Sequence, residues 1–384
     1  MSSKIPHKGF SPPHGGALSA AAEHFQIPHQ QWLDISTGIN PNSWPVPEIP
    51  TSVWQRLPEE HSSADHTEPS LHSIALNYYL NTDALDADCD ISAAEKPAFN
   101  RSHILPCAGS QQAIRLLPCL YNAWQKHVKP GQKTAAEAKV WVTSGSYSEH
   151  GLAWEEQGHR VCKVACDRIS QLLTQQPVDV LILINPDNPS GHRWPPEQLL
   201  KWWSILQRRG GWLIVDEAFM DMTPEQSLVH HGEREGLFVL RSVGKFFGLA
   251  GIRLGFVFAA EKSIRRLDKM LGPWAISHPA QYIAKLALQD QHWIEQQKQV
   301  LSQQTERLKS LLENHFPYQI QGTDLFCSMY FSDAEQVFQQ LAEQGVLTRY
   351  LAATATSPAG IRFGLPQDNQ ASWQQLERAL AKLK

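Results

Sequence analysis

Between residues 104 and 259 the chain alternates short apolar segments of β-strand length with amphipathic segments of helix length. VDVLILIN, residues 178–185, is apolar almost throughout, as strands are when both faces of a parallel sheet are covered. GWLIVDEAF and LFVLRSVGK repeat the pattern. Strands that alternate with helices are typical of βαβ units. We therefore predict an α/β fold in which a mainly parallel central sheet forms the large domain.

The segments on either side of this region differ from it in composition. The first fifty residues are rich in Pro, Gly and Ser, which favours an arm over a domain, with helix-like residues 18–25 and strand-like residues 32–35. Residues 280–314 predict one long helix, and strand patterns near 325–331 and 361–363 follow it. We expect an N-terminal arm over residues 1–50, a large domain over 51–274 and a smaller C-terminal α/β domain over 275–384.

Charge and composition exclude several classes of function. Lys and Arg number 34 against 38 Asp and Glu, so the chain lacks the excess of cations that nucleic-acid binding requires. No apolar run reaches the roughly 18 residues of a membrane span. Cysteines 89, 107, 119, 162, 166 and 327 show no paired spacing, and His61, His66 and His72 lack the pattern of a metal site. We expect a cytoplasmic protein with reduced thiols, no metal, and no nucleic-acid or membrane partner.

A glycine-rich segment, RSVGKFFGLAGIRLG, follows one of the predicted strands. Ser242 stands three residues before Lys245, and Arg253 stands eight after it. A lysine placed in this way can form a Schiff base with an aldehyde cofactor, while the hydroxyl and the guanidinium hold a phosphate. By itself, the segment is equally consistent with a flexible turn that carries a Lys and an Arg on the protein surface.

Polar residues also follow three other predicted strands. Asp216 ends the strand of VDEAF, and a carboxylate there can keep the pyridine nitrogen of pyridoxal phosphate protonated. Asn188, in INPDNPSG, offers an amide to the hydroxyl of the same ring. Gly109, Ser110 and Gln111 begin a helix whose N–H groups form an anion site. Taken singly, these residues also fit a helix cap, an Asn-Pro turn and an ordinary helix start.

In this order along the chain, the motifs resemble those of the fold type I pyridoxal-phosphate enzymes of the aspartate aminotransferase class. The resemblance implies that residues 51–274 bind pyridoxal 5'-phosphate. Lys245 would be the Schiff-base lysine, Asp216 the partner of the pyridine nitrogen and Tyr147, in SGSYSEH, the stacking ring. Arg362, in GIRFGLP, would hold the substrate carboxylate. The remaining residues assigned to the cofactor are Gly109, Ser110, Gln111, Asn188, Ser242 and Arg253.

Further segments, HGGALSAAAEHFQIP, WLDISTGINP and LGPWAISHPA, are similar to the threonine-phosphate decarboxylases of cobalamin biosynthesis of the aerobic-pathway type. That resemblance implies a lyase that converts L-threonine O-3-phosphate to (R)-1-amino-2-propanol O-2-phosphate. The arm would contribute to the substrate site: His14, Gly38, Asn40 and Arg349 would surround the substrate phosphate, and Asn188 would also contact substrate. The class also implies a homodimer.

Three departures from the family pattern bear on the cofactor site. Gly244 precedes the lysine where many relatives have Ser or Thr, so one phosphate hydroxyl is absent. Phe219 replaces a Tyr that would reach the ring hydroxyl. The Tyr that many members lend to the neighbouring subunit has no clear counterpart in LPEEHSSADHTEPS, residues 57–70.

The residues alone leave two other functions open. A histidinol-phosphate type aminotransferase needs the same cofactor residues, because the choice between losing CO2 and losing the Cα proton depends on a bond angle that no spacing reports. A non-catalytic module with this fold is the other alternative. The presence of Lys245, Asp216, Asn188 and Arg253 together argues against the module, since a degenerate relative would have lost some of them.

Overall fold

The computed structural model describes residues 9–58, 69–80, 100–128, 137–355 and 357–383. His61, His66, Cys89 and most of the segment LPEEHSSADHTEPS lie outside these ranges. Across the described ranges, no cluster of three or more His, Cys, Asp or Glu side chains could hold a metal ion. No helix within them combines the length and the apolarity that crossing a bilayer requires.

The chain divides into two compact units, which we describe separately. The first unit comprises residues 1–43, 189–192 and 295–384, and the second comprises residues 44–188 and 193–294. The units divide after residues 43 and 294, whereas the expected boundaries lie after residues 50 and 274. Whether these parts fold as independent domains stays a prediction.

The second unit contains, among its described residues, a seven-stranded sheet. Its strands are β2 Ile104–Cys107, β3 Lys139–Thr143, β4 Arg160–Val164, β5 Val180–Ile184, β6 Trp212–Asp216, β7 Leu237–Ser242 and β8 Gly255–Ala259. The strand order is β2-β8-β7-β6-β5-β3-β4; β4, β3, β5, β6 and β7 are parallel, and β8 runs antiparallel to both β7 and β2. Every residue of β5, β6, β7 and β8 is buried, which explains their continuous apolar sequences. The mainly parallel sheet is confirmed.

Helices of the second unit connect these strands, as βαβ units require. The helix Ser110–Val128 packs Ile114, Leu117 and Tyr121 into the same apolar core as β3, β5 and β7. Trp154, 1% exposed, adds a large ring to that core from the helix Glu149–Glu156. The described helices that begin in this unit are Thr51–Gln55, Leu71–Leu80, Ser110–Val128, Glu149–Glu156, Ile169–Gln175, Pro196–Gln207, Glu261–Leu271, His278–Gln289 and Gln291–Glu313.

The first unit is a smaller α/β structure. β1, Leu33–Asp34, pairs in parallel with β11, Val346–Leu347. A four-stranded antiparallel sheet has the order β12-β13-β10-β9. Its strands are β9 Gln321–Thr323, β10 Phe326–Tyr330, β12 Arg349–Leu351 and β13 Gly360–Gly364, and the helices that begin in the unit are Leu18–Phe25, Ala334–Glu343 and Gln370–Leu380.

The single long helix expected over residues 280–314 is wrong, because the chain forms two helices there. The first ends at Gln289 and the second begins at Gln291. Asp290 leaves the helical conformation, with φ −81° and ψ 73°, and its Oδ1 accepts a hydrogen bond from the Trp293 N–H at 3.1 Å. An Asp that caps the next helix in this way interrupts the first one.

Candidate active site

The predicted cofactor residues lie at one edge of the large sheet, just beyond the carboxyl ends of three parallel strands. Asp216 is the last residue of β6, and Ser242 is the last of β7. Lys245 follows β7 by three residues, and Asn188 follows β5 by four. Open α/β sheets bind ligands at this edge. The fold thus brings together residues that lie up to 57 positions apart in the sequence.

Asp216 is held by two hydrogen bonds in a buried setting. Its side chain belongs to a residue only 4% exposed, and Oδ2 lies 2.9 Å from Nε2 of His150. Oδ1 accepts from the Ala218 N–H at 3.1 Å. His150 is itself 2% exposed, on the helix Glu149–Glu156. The pair fixes the direction of the carboxylate, which suits a group that must meet one particular ring nitrogen.

The residues predicted to form a cradle for a phosphate meet at the start of the helix Ser110–Val128. Gly109 has φ +71°, and a Cβ there would lie 2.7 Å from Nη2 of Arg253. A Cβ on Gly255 would lie 2.6 Å from the Ser110 backbone nitrogen. Ser242 pairs with Gly255 across β7 and β8. The two glycines therefore leave room for a hydroxyl, a guanidinium and a helix N-terminus to meet, which is the donor set that a phosphate requires.

The departure at Gly244 has a steric explanation. A Cβ at this position would lie 3.0 Å from Cα of Ala250, a contact that backbone can relieve only by shifting. The loop is packed too closely on itself to accept Ser or Thr without adjustment. Ser242, 8% exposed, is the hydroxyl that this part of the chain offers to the cradle.

Lys245 follows the cradle strand and faces an aromatic ring. Its Nζ lies 5.5 Å from the centroid of the Phe219 ring. Phe219 is 4% exposed and comes three residues after Asp216. The ring contributes an apolar face at this point, in place of the phenol expected from the family pattern.

Tyr147 is held from its hydroxyl end by Gln111. The phenol O–H donates to Oε1 of Gln111 at 3.1 Å, and Nε2 of Gln111 donates to Oε2 of Glu149 at 2.9 Å. Burial raises the pKa of Tyr147 to about 12, with a further contribution from the charge of Glu149. The ring is therefore neutral at physiological pH and fixed in orientation, as a stacking platform for a planar cofactor must be.

The loop that carries Asn188 is pinned to the sheet by Asn185. Nδ2 of Asn185 donates to the Trp194 carbonyl at 3.1 Å, and its Oδ1 accepts from the Trp194 N–H at 3.0 Å. The adjacent Asp187 is 3% exposed and accepts a hydrogen bond from Oγ of Ser146. Asn188 is half-buried at the end of this loop.

A buried charged cluster behind the site was not predicted from the sequence. Arg241, 1% exposed, donates to Glu217 at 3.2 Å and to Asp221 at 3.0 Å. Oδ1 of Asp221 also accepts from the Tyr78 hydroxyl at 3.0 Å. Burial raises the pKa of Glu217, against the opposing effect of Arg241. Because Glu217 follows Asp216 and Arg241 precedes Ser242, the cluster joins the ends of β6 and β7 at the point where the site begins.

The first unit holds the predicted substrate arginines side by side. Arg349 in β12 and Arg362 in β13 are direct cross-strand partners. Burial, and the nearby charge of Arg349, lower the pKa of Arg362 to about 10. Burial also lowers the pKa of Arg349. Both remain cations at neutral pH, and like charges directly opposed on one sheet repel each other. The arrangement favours a ligand that carries negative charge.

The N-terminal arm supplies neutral partners to these arginines. Nη1 and Nη2 of Arg349 donate to the carbonyls of Pro12 and Pro13, the latter at 2.5 Å. Nη2 of Arg362 donates to the Ser36 carbonyl at 2.7 Å. His14 is exposed and directly follows the two prolines. The arm next to His14 thus contacts Arg349, and the turn that begins at Ser36, called the Ser36 turn, contacts Arg362.

Gly38 and Asn40 follow Ser36 and are both buried. Oδ1 of Asn40 accepts from the Asn42 N–H at 2.8 Å and from Nε2 of Gln297 at 3.4 Å. This side chain therefore stabilises the STGINP turn. Direct phosphate contacts of Gly38 and Asn40 stay a prediction.

Sequence reasoning missed His150, Arg241 and Ser36. His150 stands three residues after Tyr147 in SGSYSEH, but the helix begins only at Glu149, so no helical spacing linked His150 to the site. Nothing in the sequence pairs Arg241 with Glu217 and Asp221, because the three meet only after β6 and β7 align.

The sequence profile of the aminotransferase class I and II family matches residues 31–382. A Pseudomonas aeruginosa protein named threonine-phosphate decarboxylase is 38% identical over 97% of this chain and 98% of its own length. A protein of the same name from a Sinorhizobium species is 33% identical, over 96% of this chain and 98% of its own length. These sequence similarities extend over nearly the whole of each chain.

The structure is also similar to the solved structure of histidinol-phosphate aminotransferase from Sinorhizobium meliloti in complex with pyridoxal-5'-phosphate. The TM-score is 0.71 at 16% identity, and the alignment covers 99% of this chain and 97% of that one. Similarity at this level of identity shows the fold alone, which is the fold type I architecture expected from the sequence.

Proposed function

The chain belongs to the aminotransferase class I and II family, and we propose that it is a pyridoxal-phosphate-dependent carbon–carbon lyase. Its substrate is L-threonine O-3-phosphate, and its product is (R)-1-amino-2-propanol O-2-phosphate, for use in cobalamin biosynthesis. Near full-length similarity to two proteins named threonine-phosphate decarboxylase supports this choice within the family.

The observation that carries the proposal is the cross-strand pair of Arg349 and Arg362. An amino acid that bears a phosphate has two anionic groups, and two adjacent guanidinium groups complement them. We assign the substrate carboxylate to Arg362 and the phosphate to Arg349, with His14 and the Gly38 to Asn40 turn beside it. The neutral carbonyls that now accept from Arg349 are weaker partners than a phosphate dianion.

Pyridoxal phosphate, when bound, supplies an aldehyde that joins an amine and a ring that withdraws electrons from the carbon next to it. Lys245 would hold that aldehyde, and the Gly109 to Gln111 helix start, Ser242 and Arg253 would hold the phosphate. Asp216, oriented by His150, would hold a proton at the ring nitrogen. Tyr147 would stack on the ring, and Asn188 would bind its hydroxyl and contact substrate.

The reaction breaks the bond between Cα and the substrate carboxylate, and CO2 leaves. The Lys245 ammonium group would then deliver a proton to Cα, which keeps the electron pair of the broken bond when CO2 leaves. The carboxylate loses its negative charge, and with it its attraction to Arg362, as it becomes CO2. Arg362 therefore acts before the bond breaks, by orienting the scissile bond. The Phe219 ring, whose centroid is 5.5 Å from Nζ of Lys245, places an apolar face beside the amine.

We also propose that the enzyme works as a homodimer. Trp54, Leu57 and Trp274, all in the second unit, are 63%, 62% and 54% exposed. Arg56 and Ala275, next to these side chains in sequence, line one cavity of about 400 Å³. Large apolar side chains exposed on one unit support a surface that a second copy of the chain would cover. The free thiols of Cys107, Cys119, Cys162, Cys166 and Cys327 support a place in the reducing cytoplasm.

The proposal is tested by Arg349→Ala with two substrates, threonine phosphate and threonine. Loss of a charge-assisted contact costs about 2 to 4 kcal/mol, so kcat/KM for threonine phosphate falls roughly 30- to 1000-fold. Threonine, which lacks the phosphate, loses much less. Arg378→Ala, at an exposed arginine of the last helix, is the matched control and changes neither value. An equal loss on both substrates contradicts the assignment.

A further inference from the structure

Phe10, at the start of the described arm, packs into an aromatic cluster. Its ring centroid lies 5.1 Å from that of His24, 5.4 Å from that of Phe25 and 6.3 Å from that of Phe338. The Phe10 carbonyl accepts from Nε2 of Gln339 at 3.1 Å. The first two partners belong to the helix Leu18–Phe25, and Phe338 and Gln339 belong to the helix Ala334–Glu343. Phe10 therefore fixes the arm to the body of the first unit.

The arm reaches Arg349 within three residues of this anchor. Pro12 and Pro13 present their carbonyls to the two terminal nitrogens of the guanidinium. Each residue spans at most about 3.6 Å, and proline fixes its own φ, so the position of Phe10 strongly limits where these carbonyls can lie.

The other end of the arm is fixed by the Ser36 turn. The Gly16 N–H donates to Oγ of Ser36 at 2.7 Å. A Cβ on Gly15 would lie 2.3 Å from the Ser36 carbonyl oxygen, so only glycine allows this approach. The Ser36 carbonyl in turn accepts from Arg362. The segment between the two attachments contains Pro12, Pro13 and His14, the part of the arm beside the arginine pair.

We propose that Phe10 is a positioning residue that sets the orientation of the Arg349 guanidinium through the Pro12 and Pro13 carbonyls, and so determines the preference for a phosphorylated substrate. The inference rests on the proposed function. An arginine side chain loses much rotamer freedom when it binds a ligand. The arm removes that freedom in advance.

A purely structural role for Phe10 makes a different prediction. Loss of packing alone would lower stability and reduce the activity toward all substrates together. A positioning role instead separates KM from kcat and separates substrates with a phosphate from those without one.

The test is steady-state kinetics of the holoenzyme carrying Phe10→Ala, with threonine phosphate and with threonine. KM for threonine phosphate rises about tenfold, kcat stays within about twofold, and the values for threonine stay unchanged. Phe10→Leu, which keeps apolar volume in the cluster, restores most of the loss and serves if the alanine variant folds poorly. Tyr318→Ala, at an exposed ring that stacks on Phe331 in the same unit, is the matched control. Equal losses on both substrates, or no loss, overturn the proposal.

A double variant tests whether Phe10 acts through Arg349. If it does, Phe10→Ala costs no further affinity in the Arg349→Ala background, whereas independent roles give additive losses and overturn the proposal. Calorimetric binding of inorganic phosphate to the holoenzyme gives the same comparison without turnover. If Arg349→Ala fails to discriminate between the substrates, the proposed function fails. If Arg349→Ala discriminates and Phe10→Ala does not, only the role of Phe10 fails.

Discussion

At the scale of single residues, the account depends on how Asp216 is held. His150 is the side-chain partner of Oδ2, at 2.9 Å and inside the protein. A buried carboxylate oxygen that loses its partner costs about 1 to 3 kcal/mol. The geometry of the His150–Asp216 pair should therefore influence both cofactor retention and the rate of the reaction. His150 acts on both through Asp216.

We predict that His150→Leu weakens cofactor binding and lowers kcat by roughly 5- to 150-fold, because Asp216 loses the bond that orients it. Fluorescence titration of the apoenzyme with pyridoxal phosphate and steady-state kinetics measure the two effects. His292→Leu, at an exposed histidine of the same unit, is the control and changes neither. A variant with wild-type affinity and rate would show that His150 has no positioning role.

The sequence predicted Lys245, Asp216 and Arg253 because each stands in a motif with fixed spacing after a strand. It did not predict His150 as the partner of Asp216, since 66 residues separate them and the contact exists only after the sheet forms. It identified Phe219 as a departure, but only the structure shows that its ring faces Lys245. Motif spacing specifies local groups, and pairs distant in the chain depend on packing.

At the scale of elements, the ends of β6 and β7 are joined by Arg241. This guanidinium contacts two buried carboxylates and lies 4.7 Å from the centroid of the Tyr79 ring. Glu217 and Asp221 stand on either side of Phe219, so the cluster also fixes the segment that faces Lys245. Removing one member leaves the others charged and buried, which is far more costly than never having the cluster.

We predict that Arg241→Met lowers the free energy of unfolding by about 3 to 5 kcal/mol, since Glu217 and Asp221 then lack a counter-charge. Urea unfolding followed by circular dichroism measures the change. Arg265→Met removes an exposed pair with Glu261 and should change the free energy of unfolding far less. Equal effects of the two substitutions would mean that the buried cluster contributes no more than a surface ion pair.

Strand assignments illustrate what periodicity can and cannot predict. β5, β6 and β7 were evident because continuous burial produces continuous apolar sequence. β12 was not expected, because Arg349–Leu351 is three residues long and half-buried, without a clear pattern. Its register against β13 places Arg349 opposite Arg362. That register depends on turn geometry and packing, which cannot be predicted from the sequence of either strand alone.

At the scale of the whole molecule, the proposed homodimer predicts a particle of twice the 43.2 kDa chain mass in sedimentation equilibrium. Leu57→Glu places a charge at one of the large apolar side chains exposed on the second unit and shifts the particle toward monomer. Lys382→Glu, at the described C-terminal end, is the control. A wild-type protein that sediments as a monomer with full activity would contradict the dimer.

The central claim, that the enzyme decarboxylates phosphothreonine, is tested most directly by identifying the products. Purified holoenzyme is incubated with L-threonine O-3-phosphate, CO2 is quantified, and the remaining organic product is identified by mass spectrometry and NMR, with Lys245→Ala as the inactive reference. We predict equal amounts of CO2 and (R)-1-amino-2-propanol O-2-phosphate over many turnovers. An oxo acid formed without CO2, and with conversion of the cofactor to its amine form, would contradict the account and identify an aminotransferase.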